Sequence, residues 1–571
     1  MKTMPIENYR PYPKVELSNR QWPSNIIDLA PIWCSVDLRD GNQALSNPMT
    51  IEQKLEIFNL LVALGFKEIE IGFPAAADVE FAFLRKLVED HLIPEDVTIQ
   101  VLTQTRAHLI EKTFEAIQGV PRAIVHLYNS TSTVQRRVVF DSNRKGIIGI
   151  AVEGAELAHA CAKSLQGTKI MFQYSPESFT GTELDFAVEI CEAVMGVWQP
   201  TSDEPVILNL PATVEMSTPN IFADQIEWFG KHLQNREAVI LSVHTHNDRG
   251  TGVAASELAL MAGAQRVEGT LFGNGERTGN LDIVTMALNM FSQGVDPKLD
   301  FSDIQKIVAV YEQCTGMFVH PRHPYAGDLV YTAFSGSHQD AIRKGMLAHK
   351  KQESTNWEVP YLPINPQDVG RTYESIIRIN SQSGKGGVAY VMEQEFGYQL
   401  PKAMHSEFAE VIQHVSEKTG EEVSSSVIAR CFHEEYLLLN QPMVLNNCQI
   451  HTTSSNTDSL VTTKVCALIQ VDHQEQSFIG TGNGPIDAFC NAIRKNQDID
   501  FKLVSYHEHA LEEGSSAHAV AYVQIESGEK KYFGVGKDTN ISLASIKSVL
   551  SAVNRAFAAE DKKEGTVTQA A

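Results

Sequence analysis

The chain has 571 residues, 43% hydrophobic and 20% charged, an ordinary globular composition and far too long for one small core. Roughly two to four domains are expected at this length. A formal net charge of −23 excludes the broad basic face that a nucleic-acid partner requires. It leaves anionic substrates open, because local arginine or metal can reverse the sign inside one cleft. No apolar run reaches the roughly 18 residues of a membrane span, so no membrane partner is expected, and MKTMPIENYRPYPK lacks the apolar core of a secretory signal. Cys34, Cys161, Cys191, Cys314, Cys431, Cys448, Cys466 and Cys490 form no CxxC pair and sit mostly in apolar segments. That pattern suits free thiols in a reducing compartment, and a cytoplasmic location is expected.

After an N-terminal extension over residues 1–30, one unit recurs: a short apolar run, a polar or glycine-rich turn, then a helical stretch. The predicted strands are 32–38, 68–73, 97–102, 123–127, 169–174, 206–210, 239–245 and 266–272. Helical spacing follows each, as in 50–64, 78–90 and 220–233. Eight alternations over roughly 250 residues have the rhythm of a (β/α)8 TIM barrel, here placed at 31–310, with a doubly wound open sheet as the alternative. A mainly helical connector or cover is expected over 311–434, interrupted by the proline-rich stretch Trp357–Pro366. An α+β domain follows at 435–560. Two strand–strand–helix units of matched layout are predicted there, 465–494 and 519–556, an internal pseudo-repeat. The tail 561–571 is expected to be disordered.

Barrel active sites lie at the C-terminal ends of the strands. The first strand runs into Asp37-Leu-Arg39-Asp40-Gly41-Asn42-Gln43, the seventh into His244-Thr-His246-Asn-Asp248. Residues i and i+2 share a strand face, so Ser242, His244 and His246 point to the barrel axis while Val239, Leu241 and Val243 face the helices. Two imidazoles and a carboxylate form a facial set for a divalent cation with open positions for substrate. Asp40 is the better carboxylate, since Asp248 falls just past its strand. The eighth strand leads into Gly273-Asn-Gly-Glu-Arg-Thr-Gly279-Asn280, where glycines permit close approach to a ligand and Asn280 can give an oxygen to the metal or fix a neighbour. Glu70, Glu177 and Thr213 are further strand-end groups, and Arg39 is the expected partner of Glu70. Ser383-Gly-Lys-Gly-Gly387 lacks the upstream glycine of a phosphate loop and reads as a flexible loop.

Taken together, Asp37–Gln43, His244–Asp248, Gly273–Asn280, Ser335-Gly-Ser-His-Gln-Asp340, Gly482-Asn-Gly-Pro485 and Tyr506-His-Glu-His-Ala510 resemble the alpha-isopropylmalate synthases of the longer-chain subgroup, over nearly the whole chain. The resemblance implies metal ligands Asp40, His244 and His246, with Asn280 at or next to the ion. The metal would be magnesium, with manganese or zinc as alternatives. It implies that Arg39 and Thr213 hold the oxo acid, and that Glu177 and His338 act as the acid/base pair on acetyl-CoA. It further implies an effector pocket at Gly482, Gly484, Ile486, Tyr506 and Ala510 for leucine, and a homodimer. The reaction would be a Claisen-type condensation of acetyl-CoA with 3-methyl-2-oxobutanoate to 2-isopropylmalate. The glycine-led turn 482–485 is expected to take leucine's carboxylate on its N–H groups.

Sister synthases making citramalate or homocitrate differ only in the pocket for the oxo-acid side chain, and one methylene is worth only about 1–3 kcal/mol. An acyl-CoA lyase of the same superfamily would carry a cysteine in the loop after the eighth strand, where this chain has none. A non-catalytic sensor is disfavoured by the intact strand-end constellation.

Overall fold

The computed structural model describes residues 10–567 other than 334, 352–355, 372–384, 420–422, 438–440, 455–460, 472–473, 498, 513 and 515. Residues 1–9 of the N-terminal extension, Ser383 and Gly384 of the SGKGG stretch and the last four residues of the tail lie outside the described residues. The chain divides into two units, Met1–Val330 with Ile364–Arg371, and Tyr331–Pro363 with Thr372–Ala571.

The first unit is a closed parallel barrel of β1 (Ile32–Ser35), β2 (Glu68–Gly72), β3 (Thr98–Gln104), β4 (Arg122–Ser130), β5 (Lys169–Glu177), β6 (Val206–Ala212), β7 (Val239–Thr245) and β8 (Arg266–Gly269). Closure is direct: β1 pairs with β8 from Ile32↔Arg266 to Ser35↔Gly269, which rules out the open sheet. The helices are set by local chemistry. Helix Ile51–Leu64 starts at a capping box, Thr50 Oγ1 accepting from Gln53 N at 3.3 Å while Gln53 Oε1 accepts from Thr50 N at 2.9 Å. It ends at Gly65, whose φ of +104° suits glycine and where a Cβ would stand 2.9 Å from Lys298 O.

The outward strand faces (Ile69, Ile71, Ile99, Val101, Leu208, Val243) are buried against helices. The inward faces are polar rather than the usual layers of branched apolar residues. Gln100, Gln173, Asn209, Ser242, Arg266 and Glu268 are all buried there. The first strand is shorter than predicted, because Asp37–Gly41 winds into a single π-helical turn.

In the second unit, helices Lys385–Phe396, Met404–Thr419 and Ser425–Phe432 share an apolar core with Val520, Tyr522, Phe533 and Val535. The predicted repeat is present with one strand more in each copy. β9 (Met443–Ser454), β10 (Val461–Val471) and β11 (Gln474–Gly482) precede helix Pro485–Asn496. β12 (Lys502–Ala510), β13 (Ala519–Ser527) and β14 (Lys530–Asp538) precede helix Ile541–Val567. Each triplet is its own antiparallel sheet with the second strand in the middle. The final helix runs beyond the predicted 556 to Val567, through Ala-Ala-Glu-Asp-Lys-Lys-Glu564, residues that extend an existing helix at little cost. A Cβ on Gly480 would lie 2.2 Å from Ala488 O, and one on Gly534 2.2 Å from Ser548 O. These glycines therefore let each repeat's helix lie directly on its last strand.

All eight cysteines are free. Among the described residues no helix is long and apolar enough to cross a membrane.

Candidate active site

The π-turn after β1 gathers three N–H groups on one carbonyl: Arg39 N, Asp40 N and Gly41 N donate to Val36 O at 3.2, 2.8 and 3.1 Å. Buried Lys54 ties it from below, Nζ donating to Leu38 O at 3.2 Å and pairing with Glu80. Asp37 ties it sideways, accepting from Ser35 Oγ at 2.7 Å and from Leu271 N, after β8, at 3.0 Å. Burial pushes the Asp37 carboxyl up to about 7 against these donors. The turn thus presents Arg39 and Asp40 to the barrel mouth.

Arg39 Nε pairs with Glu70 and Nη1 donates to Asp40 Oδ1 at 2.7 Å. His244 Nε2 and His246 Nε2 lie 3.3 and 3.7 Å from Asp40 Oδ2. One ligand atom from each of Asp40, His244 and His246 falls within 4.8 Å of the others. Asp40 Oδ2 and Asn280 Oδ1 are buried with no hydrogen-bond partner, an arrangement that suits oxygens meant for a cation. Asn280 is bridged to His246 through the backbone. Burial would raise the Asp40 carboxyl, but the Arg39 guanidinium and the two imidazoles hold it well below the usual range. Burial depresses His244, yet Asp40 and Glu268 on its two sides push it up to about 9. Burial and the neighbouring His244 bring His246 down to about 4, so one imidazole stays neutral with a lone pair to give.

Arg39, Asp40, His244 and His246 open on a cavity of about 270 Å³ also lined by Tyr128, Glu177, Thr213 and Arg277. Glu177 ends β5 and its carboxylate accepts from Ser130 Oγ. Thr213 Oγ1 accepts from Ser178 N at 3.0 Å, which leaves its own proton to donate. Asp248 stands apart, paired with Arg277 Nε at 2.7 Å and accepting from Glu215 N at 2.9 Å. Arg39, Asp40, Glu177, Thr213, His244 and His246 therefore share one mouth. His338 lies in the second unit at the start of helix Gly336–Lys351, exposed, its ring stacked on Tyr361 with centroids 4.0 Å apart.

The strand-end reading missed the interior below the mouth. Glu268 accepts from Arg266, Gln173, Gln100, Asn209 and His244. His126 joins Glu70 at 2.8 Å to Ser175 Oγ at 2.7 Å. The available signal was polar residues at i, i+2 spacing inside strands, as in Arg266 and Glu268 or Gln173 and Ser175.

In the second unit, Gly482 closes β11 and Gly484 is the N-cap of helix Pro485–Asn496. Ile486 and Tyr506 pack against the same apolar core, and Ala510 ends β12. One N–H of the turn expected to take a carboxylate is already engaged within the chain. Asn483 N already donates to Asp487 Oδ2 at 3.0 Å, and that fixed negative charge repels a second carboxylate while attracting an ammonium.

Residues 30–310 match the HMGL-like family, 328–393 the alpha-isopropylmalate synthase, post-catalytic domain-like family, and 422–557 the LeuA allosteric (dimerisation) domain. The chain is 59% identical over 554 residues to the 2-isopropylmalate synthase of Clostridium acetobutylicum, covering 97% of this chain and 99% of that one. It is 54% identical over 552 residues to that of Rhodospirillum rubrum, covering 96% and 98%. Against that of Pseudomonas syringae pv. tomato the figures are 51% over 560 residues, covering 98% and 99%.

Proposed function

The chain belongs to the 2-isopropylmalate synthase family, and on that premise we propose that its barrel mouth holds a divalent cation on Asp40, His244 and His246 and there joins acetyl-CoA to 3-methyl-2-oxobutanoate. The products are 2-isopropylmalate and free CoA, with one water consumed, the first committed step toward leucine. The observation that carries the reading is the convergence of the three ligand groups with Arg39, Glu177 and Thr213 on one cavity.

The barrel interior fits a divalent ion by charge. Four buried or half-buried carboxylates, Asp40, Glu68, Glu70 and Glu268, face two guanidiniums, Arg39 and Arg266, which leaves two negative charges once a cation displaces the proton of His244. A divalent cation held here, magnesium first and manganese or zinc as alternatives, would be chelated by the 2-oxo acid and would polarise its keto group as a Lewis acid. Arg39, with Nε and Nη1 engaged, turns Nη2 to an oxygen of the oxo acid, where the developing negative charge is best met by a permanently charged fork. The Thr213 hydroxyl donates to the substrate carboxylate. Glu177 takes a proton from the acetyl methyl, the freed carbon bonds to the keto carbon, and the C=O π electrons move to the keto oxygen, which then takes up one proton to become the hydroxyl. Water then cleaves the thioester and releases CoA. The acid/base role of His338 rests on its motif Ser335–Asp340; His338→Asn tests it, the expected result being a fall in kcat with little change in KM for the oxo acid.

Leucine is proposed as the effector of the second unit, its side chain on Ile486 and Ala510 near Tyr506, its ammonium toward Asp487 beside Gly482 and Gly484. The enzyme is proposed to work as a cytoplasmic homodimer. The test is thiol release from acetyl-CoA across pyruvate, 2-oxoglutarate and 3-methyl-2-oxobutanoate, with and without leucine. Preference for 3-methyl-2-oxobutanoate and inhibition by leucine are expected; preference for either other acid overturns the substrate assignment.

A further inference from the structure

Glu268 is fully buried on β8, and none of the groups assigned above to substrate touches it. Its Oε2 accepts from His244 Nδ1 at 2.9 Å and from Asn209 Nδ2 at 3.2 Å. Its Oε1 accepts from Gln173 Nε2 at 2.7 Å, Arg266 Nη1 at 2.8 Å and Gln100 Nε2 at 3.1 Å. Four donors other than His244 thus fix the carboxylate on both oxygens, so its direction toward His244 is rigid.

With a cation in place of the Nε2 proton the imidazole carries one proton, and an acceptor at Nδ1 keeps it there, leaving the Nε2 lone pair on the side of Asp40 Oδ2, 3.3 Å away. Without that acceptor the two tautomers differ little and the ring is free to turn. His246 has no such support, since its Nδ1 is buried without a partner. Neutralising Arg266 does not by itself account for Glu268, because Arg266 Nε already pairs with Glu68 at 2.6 Å and its other nitrogens donate to Ser242 and Gln100.

We propose that Glu268 is a positioning residue that locks the tautomer and orientation of His244 for a divalent cation. This rests on the reading that Asp40, His244 and His246 form the metal centre. The control is Glu68, which also pairs with Arg266 and also contributes one interior negative charge but does not touch His244.

The experiment titrates Mn2+ into metal-free full-length protein, with free Mn2+ followed by electron paramagnetic resonance and folding followed by urea unfolding. Glu268→Gln is expected to raise the Mn2+ dissociation constant roughly 10- to 100-fold. Glu68→Gln is expected to stay within about twofold of wild type, the margin for independent sites. Should Glu268→Gln fail to fold, the same pair is compared in an Arg266→Gln background, where neither substitution strands a buried guanidinium. Equal losses in the two variants, or no loss in Glu268→Gln, overturn the positioning role while leaving the metal centre standing. Unchanged Mn2+ affinity in His244→Ala, or no binding by wild type, overturns the metal reading and this proposal with it.

Discussion

Replacing Lys54 with methionine keeps the length of its stem and removes the ammonium that holds the π-turn. The side chain has no exposed surface, and burial pulls its pKa down while Glu80 keeps the ammonium charged. Breaking a buried pair by removing one partner costs about 3–5 kcal/mol. Glu80 keeps a contact from Asn42 Nδ2 at 3.5 Å once the ammonium is gone, and the lower end, about 3 kcal/mol, is taken. Loss of the bond to Leu38 O adds about 1 kcal/mol. At a urea slope of about 3 kcal/mol per molar, the barrel's unfolding midpoint should fall by about 1 M or more. Trp22, Trp33, Trp198 and Trp228 all belong to the first unit, so tryptophan fluorescence reports mainly on it. Because Leu38 O anchors the turn bearing Arg39 and Asp40, kcat/KM should drop at least about tenfold even in the folded fraction. Lys54→Met/Glu80→Leu removes the stranded charge and should recover more than half of the lost stability but little activity, since Leu38 O stays unanchored. A Lys54→Met protein with wild-type midpoint and wild-type kcat/KM refutes the reasoning.

Glu177→Gln should lower kcat roughly 10²- to 10⁴-fold, the range of a positioned base, with KM for the oxo acid nearly unchanged in steady-state assays. Asp37 is raised in the fold to about 7 from an ordinary value near 4, so the protonated form favours the folded state. Its stabilising contribution is full below about pH 4 and is lost as pH rises to about 7, at up to about 1.4 kcal/mol per pH unit. Asp37→Asn can still accept from Leu271 N and donate to Ser35 Oγ, so the pH dependence of barrel unfolding should flatten across that window and stability at pH 8 should not fall. Gly534→Ala should push the last helix off β14, a Cβ there standing 2.2 Å from Ala552 N and Ser548 O. A loss of about 1–3 kcal/mol is expected, confined to the second unit's unfolding transition in calorimetry.

The sequence made the strand ends legible because position and residue type coincide there. On β7, His244 and His246 alternate with Val243 and Thr245, and the parity that sends Val243 outward sends both histidines inward. The interior network was harder to read. Arg266 and Glu268 lie inside a short strand, and a charged pair there looks the same in sequence whether it meets solvent or the opposite wall of a barrel. The first strand was over-extended because Val36 and Leu38 are buried like strand residues while the chain already turns at Asp37. β12 was passed over as a strand because both its faces are half-exposed, so no period-two contrast marks it. The contact glycines of the repeat carry no such signal, because in sequence they look like any strand or turn glycine. In the fold Gly480 and Gly534 serve helix-on-strand contact, and the turn at Asn483 is already occupied by Asp487.

The most direct test of the account strips the wild-type protein and His246→Ala with a strong chelator and follows CoA thiol release from acetyl-CoA and 3-methyl-2-oxobutanoate during Mg2+ add-back. The expected result is no release by metal-free wild type, full recovery at saturating Mg2+, and no recovery by folded His246→Ala at the same concentration. Undiminished release from demonstrably metal-free wild type would contradict it.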